Sequence, residues 1–237
     1  MTAVQTRMER LIAGLLPGHC HFCLGKPDGT LPWCSVCFNL LARNVDACVR
    51  CAEPLPHSAQ GPCGRCLKAP PTFERALVPF LYRDDVALLL HRFKFHADMR
   101  AGRLLMTLLL LTLQDSVGFL NHCALIPVPL HPARARERGF DQTGWLAGRL
   151  SRRFHLSLYR AKRIRATPSQ RGLGRLERHR NMRNAFAFDA PLPPHVVLFD
   201  DVMTTGATFE ALARACRDAG ARHIGVLAIA RTPPIAG

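Results

Sequence analysis

The segment Val196-Val197-Leu198-Phe199-Asp200-Asp201-Val202-Met203-Thr204-Thr205-Gly206-Ala207-Thr208 decides the fold of this chain of 237 residues. Its four leading apolar residues suit a strand buried on both faces, the kind found in parallel sheets. Asp200 and Asp201 follow, expected at the C-terminal edge of that strand, where open α/β sheets place their ligands. Thr204, Thr205, Gly206, Ala207 and Thr208 then offer backbone N–H groups, three hydroxyls and a close-approach glycine at the start of a helix expected from Phe209. Such a loop is suited to cradle a phosphate.

Two other readings use the same residue types. A buried strand can end in an ordinary polar turn of Asp, Thr and Gly, and a nucleotide P-loop occupies the same place between strand and helix. The P-loop lacks its Gly-Lys-[Ser/Thr] signature here, since the segment holds no lysine. The acid pair directly before the cradle separates the cases. Two carboxylates repel a bare polyphosphate, whereas a ribose 5-phosphate presents hydroxyls to the acids and its phosphate to the loop. This order resembles the binding motif for phosphoribosyl pyrophosphate (PRPP) in type I phosphoribosyltransferases.

Downstream, Leu212, Cys216 and Ala219 share a face of the helix Phe209 to Ala219, Gly220 suits its C-terminal cap, and His223 to Ala230 reads as the next apolar strand. Strand, cradle, helix and strand form a right-handed βαβ unit. Upstream, Ala76 to Tyr82 reads as a strand, and Val86, Leu89, Leu90 and Phe93 recur at helical spacing. A second helix from about Met99 to Val117 carries the leucines of residues 104 to 113 into the core. A short strand, Ala124 to Leu130, runs into a turn stiffened by Pro127 and Pro129. The basic segment that follows carries Arg134, Arg136 and Arg138, a rigid loop able to hold a diphosphate; Leu146, Leu150 and Phe154 continue as a helix.

Eight of the ten cysteines fall in Cys-x-x-Cys pairs: Cys20 and Cys23, Cys34 and Cys37, Cys48 and Cys51, Cys63 and Cys66. In a chain without an evident export signal this regular series points to metal rather than to disulfides. Two knuckles complete a tetrahedral four-thiolate zinc site, so eight thiolates predict two structural zincs with no open catalytic position. Sequential pairing, as in a double zinc ribbon, is expected; a cross-braced pairing fits the spacing too. So few apolar residues lie between the pairs that folding of this module is expected to need metal. Cys123 and Cys216 read as plain core cysteines. Pro70-Pro71 marks the expected boundary between a zinc-binding module over 1–70 and an α/β domain over 71–237.

The longest apolar run, Leu104 to Leu113, is ten residues and too short to cross a bilayer, so a cytoplasmic protein is expected. The net charge of +15 is concentrated: residues 131 to 183 carry fifteen Lys and Arg against three acids, a balance of +12. That concentration suits a polyanion, and a diphosphate and a nucleic acid fit it equally. Residues 166 to 186, with Pro168, Gly172 and Gly174, read either as an exposed connector or as a mobile basic loop that closes over reacting phosphates.

With these pieces in order the chain resembles the ComF family, the late competence proteins related to the gluconate-locus protein GntX. The residues that carry the resemblance are the cysteine pairs, Phe93-Lys94, Ile126 to His131, Arg138 to Gln142, Thr167 to Gln170, Arg178 to Asn181 and Asp200 to Thr208. Ile126 stands where the family pattern has valine, and Asp141 where asparagine is common. The resemblance implies a type I phosphoribosyltransferase-like parallel sheet flanked by helices, behind a double zinc ribbon. It implies that Asp200 and Asp201 contact ribose hydroxyls, that residues 204 to 208 hold the 5-phosphate, and that Mg²⁺ accompanies PRPP. Lys94, Arg134 and Arg138 are the candidates for the departing diphosphate, and Arg171, Arg175, Arg178, Arg180 and Arg183 for single-stranded DNA. Competence and DNA-processing proteins are the implied partners. The reaction stays open between transfer of ribose 5-phosphate to an unidentified nitrogenous base and a transferase fold kept as scaffold or sensor in DNA handling.

Overall fold

The computed structural model describes residues 18–56, 61–130, 139–164 and 185–233. The chain divides between Ala42 and Arg43 into two compact units, so the second cysteine tetrad belongs with the residues of the larger one, upstream of the Pro70-Pro71 junction.

In the smaller unit a single described helix, α1 (Ser35–Leu40), follows Cys34. Trp33 is buried and its ring lies parallel to that of Phe38, with centroids 5.8 Å apart. In this segment the cysteines and one aromatic pair do the work of a core.

The larger unit holds α2 (Gly64–Lys68), β1 (Arg75–Leu77), β2 (Phe80–Leu81), α3 (Asp84–Phe95), α4 (Met99–Leu113), a 3₁₀ segment (Gln114–Leu120), β3 (Ala124–Pro127), α5 (Gln142–Phe154), β4 (Ser157–Leu158), β5 (Lys162–Arg163), β6 (Phe186–Ala187), β7 (His195–Met203), α6 (Ala207–Asp218) and β8 (His223–Arg231). Its main sheet runs β1-β8-β7-β3-β4, with β2 also on β8, and every pairing in it is parallel. β5 and β6 form a separate antiparallel ribbon. The α/β class with a parallel sheet, expected from the apolar run before the acid pair, is the observed one. β7 and β8 occupy the middle and read as near-continuous apolar strings because both faces are covered.

Several boundaries differ from the sequence reading for local reasons. Pro79 has no N–H to give, so the strand expected over 76–82 splits into β1 and β2 on either side of Val78-Pro79. The helix expected to reach Val117 ends as α-helix at Leu113, and Ser116 leaves helical geometry at φ −133° within the 3₁₀ segment. Ala219, not Gly220, caps α6; Gly220 is the next residue, at φ +101°, the left-handed position that ends many helices. β7 does not stop before the acids. It continues through Asp200 and Asp201 to Met203, because the ladder to β8 persists as far as Met203 opposite Arg231.

The α3–α4 hairpin shows how closely the helices pack. Asp98 caps α4 by accepting from the N–H groups of Arg100 and Ala101, and its other oxygen accepts from Arg92 at the end of α3. A Cβ at Gly102 would lie 2.5 Å from Phe93 Cε2, so glycine is what lets α4 approach the buried Phe93 ring. One apolar cluster joins Ile126, Leu198 and Val226 of the sheet to Phe209, Leu212 and Cys216 of α6, and extends to Cys48, Cys51 and Cys66. Cys216 is thus a core residue, as expected; Cys123 is half-buried.

Candidate ribose-phosphate site and metal centres

Asp200 and Asp201 project from consecutive positions of β7, so their side chains start on opposite faces of the strand. Asp201 is buried and Asp200 half-buried. Lys94, in the last turn of α3, places Nζ 2.8 Å from Asp201 Oδ1, and both side chains are largely withdrawn from water. Asp200 Oδ1 accepts from Thr143 Oγ1 at 3.0 Å and from the backbone N–H of Asp201 at 2.8 Å. Burial first, and then the neighbouring Asp201 charge, push the Asp200 carboxyl up to about 7 from its ordinary value, with Lys94 pulling the other way.

Thr143 reaches Asp200 because α5 begins beside the acids. Asp141 caps that helix through Gly144 N–H, and the buried Gln142 donates to the Lys94 carbonyl at 3.4 Å. Phe93 meets Trp145 with ring centroids 5.3 Å apart, and the Arg149 guanidinium lies 3.3 Å above the Trp145 ring. The Phe93-Lys94 pair therefore has a divided role: the aromatic ring is core, and the ammonium is the counter-charge of Asp201.

The cradle closes the strand. Gly206 adopts φ +82° as the residue before α6, a conformation that would strain a side chain, and a Cβ there would meet Met203 Cε at 3.0 Å. Ala207 N–H donates to Thr205 Oγ1 at 3.3 Å. Thr204 and Gly206 lie at the two ends of the turn, and the N-terminus of the twelve-residue α6 follows. Of the expected site residues, Asp200, Asp201, Thr204, Thr205, Gly206, Ala207, Thr208 and Lys94 come together here. Arg134, Arg138, Arg171, Arg175, Arg178, Arg180 and Arg183 lie outside the described residues.

One residue next to the cradle has no motif to announce it. Arg231, 2% exposed, ends β8 and donates to the carbonyls of Met203 (3.0 Å), Thr204 and Thr232 (3.2 Å) through Nη1, to the Cys51 carbonyl through Nε (3.3 Å), and to Glu53 Oε2 through Nη2 (3.2 Å). The usable signal was an arginine closing an otherwise apolar strand string. Thr143 gave no signal of its own, since only the fold brings α5 against β7.

The cysteines gather into two groups, Cys20, Cys23, Cys34, Cys37 and Cys48, Cys51, Cys63, Cys66, each with all four sulfurs within 4.8 Å of one another. The pairing is sequential. A tetrahedron with bonds of about 2.3 Å has sulfur–sulfur edges of about 3.8 Å. Cys23 and Cys34 sulfurs are 3.8 Å apart and those of Cys51 and Cys63 are 3.7 Å apart, which fits a four-thiolate ion such as zinc. Burial opposes ionisation of the first thiol in each group, but backbone N–H donors outweigh it. Cys20 falls to about 6, helped by the N–H groups of Cys23 and Cys34, and Cys48 to about 7, helped by those of Cys51 and Cys63. Both tetrads are thus built to hold a structural metal. Among the described residues no helix is long and apolar enough to cross a membrane.

A parallel sheet flanked by helices, with an acid pair and a hydroxyl-rich turn on its central strand, together with two four-cysteine groups that fit zinc ribbons, defines an α/β protein with structural metal sites. Comparison narrows the class. No family model matches the chain. It is 34% identical over 225 residues to the DNA utilization protein YhgH of Escherichia coli K12, which covers 92% of this chain and 98% of that one. It is 32% identical over 209 residues to competence protein F of Haemophilus influenzae, at 84% and 90% coverage. The competence protein ComFC of Streptococcus pneumoniae matches at 24% over 210 residues, 81% of this chain and 91% of that one. The chain belongs to the ComF family.

Proposed function

We propose that this protein works in the uptake or use of DNA and carries a binding site for PRPP, or for another ribose 5-phosphate, on the segment 200–208. The observation that carries the ligand reading is the acid pair of β7, with Asp200 held by Thr143 and Asp201 by Lys94, immediately before a turn shaped by Gly206. Ribose hydroxyls would displace part of that network, freeing Lys94 to face the diphosphate. Thr204, Thr205 and Thr208, with the backbone of 204–208, would take the 5-phosphate at the start of α6. Mg²⁺ would supply charge neutralisation between diphosphate and ribose oxygens. Zinc is the metal assigned to the two tetrads, in a structural role.

The names of the relatives, DNA utilization protein and competence protein, support the biological setting. Single-stranded DNA is the proposed macromolecular ligand, with Arg171, Arg175, Arg178, Arg180 and Arg183 as its contacts, DNA-processing proteins as partners and the cytoplasm as the place; Arg134 and Arg138 are kept for the diphosphate. If so, single-stranded DNA binding weakens steeply with salt, and charge reversal at Arg175, Arg178 and Arg180 weakens it further; unchanged affinity in the triple variant would remove that patch from the proposal.

A second reading follows from the same acid pair. An oxocarbenium-like ribose would be stabilised by carboxylates next to a held diphosphate, so transfer to a nitrogen nucleophile needs positioning and charge and no covalent protein intermediate. The ligand test is ³¹P NMR of PRPP with Mg²⁺ and protein: the 5-phosphate and diphosphate resonances should both broaden, and lines as sharp as those of free PRPP would overturn the site. Release of inorganic diphosphate in the presence of free nucleobases separates the transferase from the sensor.

A further inference from the structure

Arg231 stands at a junction that neither the PRPP reading nor the DNA role requires. It ends β8 opposite Met203, the last residue of β7, and its buried guanidinium spans the gap from the cradle to the second cysteine tetrad. On one side it holds the carbonyls of Met203 and Thr204, the two residues that lead into the turn. On the other it holds the carbonyl of Cys51, a member of the tetrad, and the carboxylate of Glu53. Glu53 is shared: Arg65 Nη2 lies 2.7 Å from Glu53 Oε2 and also 3.1 Å from Cys51 Sγ. The tetrad, Arg65, Glu53, Arg231 and Thr204 therefore form one continuous polar chain, and Arg231 is withdrawn from water.

We propose that Arg231 is a positioning residue that makes the shape of the phosphate cradle depend on metal occupancy of the Cys48, Cys51, Cys63, Cys66 site. The knuckle around Cys51 is held by its own short bonds. Ala52 N–H donates to the Cys48 carbonyl, Cys48 N–H to the Glu53 carbonyl and Cys63 N–H to Cys48 Sγ. Without an ion nothing ties the four sulfurs, all within 4.8 Å of one another, to a common centre, and the turn that sets the Cys51 carbonyl and Glu53 loosens. A buried guanidinium that loses a carboxylate and a carbonyl cannot stay where it is without a large penalty. Its movement releases Met203 and Thr204. By linkage, any ligand that orders the cradle tightens metal binding at this tetrad by the same factor. Among the described residues, the contacts of Arg231 and Arg65 named above run to this second tetrad. The link from metal to cradle stands on the hydrogen-bond geometry; only its consequence for PRPP rests on the ligand reading above.

Hydrogen exchange of the peptide covering 200–209 tests the link without any ligand. In the full chain loaded with zinc, Cys63→Ser is expected to speed exchange of the 204–208 amides about tenfold or more, within the usual range for coupled sites, while Cys23→Ser leaves them at the wild-type rate. If Cys63→Ser folds poorly, chelation of Cys23→Ser, in which only the second tetrad is intact, gives the same comparison. Arg231→Met should keep two zincs per chain by elemental analysis yet show the fast cradle exchange already, with no further rise when the second site is emptied. Glu53→Gln, the milder change, should give a smaller rise. Cradle exchange that ignores loss of the second metal, or that still responds to it in Arg231→Met, overturns the proposal. Titration of PRPP with Mg²⁺ against the same proteins separates the two ideas: metal-dependent exchange without PRPP binding upholds the link and removes the ligand.

Discussion

Two buried charge clusters flank the cradle, and they are compensated very differently. On one side every nitrogen of Arg231 has an acceptor: the Cys51 carbonyl on Nε, three carbonyls around Nη1 and the Glu53 carboxylate on Nη2. On the other, Asp200 and Asp201 share a single described ammonium, Lys94, and Asp200 is left with a hydroxyl and one backbone N–H. The first arrangement is saturated in the sense that each nitrogen is engaged and the side chain is buried, so it presents little to a ligand. The second has one ammonium for two carboxylates; burial and then the Asp201 charge push Asp200 up to about 7, and in the proposed reading a polyhydroxylated, metal-carrying ligand would gain from docking there. A saturated cluster reads as scaffold and an unsaturated one as site.

Breaking the saturated cluster should cost most. Arg231→Met leaves Glu53 and the Met203 and Thr204 carbonyls without their shared donor, and a loss of about 3–5 kcal/mol is expected, read as a lower midpoint in urea unfolding. A loss within ~0.5 kcal/mol would mean that the cluster holds nothing up. Lys94→Ala should cost less, about 2 kcal/mol at pH 8, because the acid pair can answer by keeping a proton. The same variant should move the Asp200 titration upward, since Lys94 holds it down, and the stability loss should shrink toward pH 5; a loss that does not change with pH would contradict the shared-ammonium account.

Asp200→Asn is expected to act in the opposite direction. The folded carboxyl sits at about 7, above its ordinary value of 3.8, so the folded state holds the proton more tightly than the unfolded one. Relative to acid solution, stability is lost as pH rises from the unfolded value through the folded one, and the whole cost is present above pH 7. The amide keeps an oxygen for Thr143 and for the Asp201 N–H and removes the excess charge. A thermal midpoint higher by about 2–4 °C at pH 8, for each kcal/mol recovered, with the gain disappearing toward pH 4, is the expected result.

The contrast between the two cysteine tetrads teaches the same lesson on a larger scale. Their spacing is nearly identical in the sequence, yet Cys48, Cys51 and Cys66, with Cys63 half-buried beside them, join an apolar cluster that includes the sheet and α6, whereas in the first set Cys20 is buried, Cys34 and Cys37 half-buried and Cys23 exposed. Spacing told that each set suits a metal ion; it could not tell that the Cys51 carbonyl would be tied to Arg231 at the end of β8. The strand, the glycine turn and the cysteine pairs were legible because each is local, set by apolar runs, a positive-φ glycine and two-residue gaps. Which pairs share a site was not, since sequential and cross-braced pairings both fit that spacing and only the fold groups them. The ends of β7 and of the strand around Pro79 were less so, because ladder partners and a missing N–H decide them. Thr143 on Asp200 and Glu53 on Arg231 join positions 57 and 178 residues apart, and no periodicity in the chain marks such pairs. Lys94 was singled out by its motif, but only the fold brings its ammonium to Asp201.

The central claim, that the unsaturated acid pair and the turn after it bind a ribose phosphate, is tested most directly by calorimetric titration of PRPP with Mg²⁺ into the wild-type protein and into the Asp200→Asn, Asp201→Asn double variant. Saturable binding by the wild type and at least a tenfold weaker, or no, response from the double variant, about 1.4 kcal/mol or more, is the predicted result. Equal heats from the two proteins would contradict it.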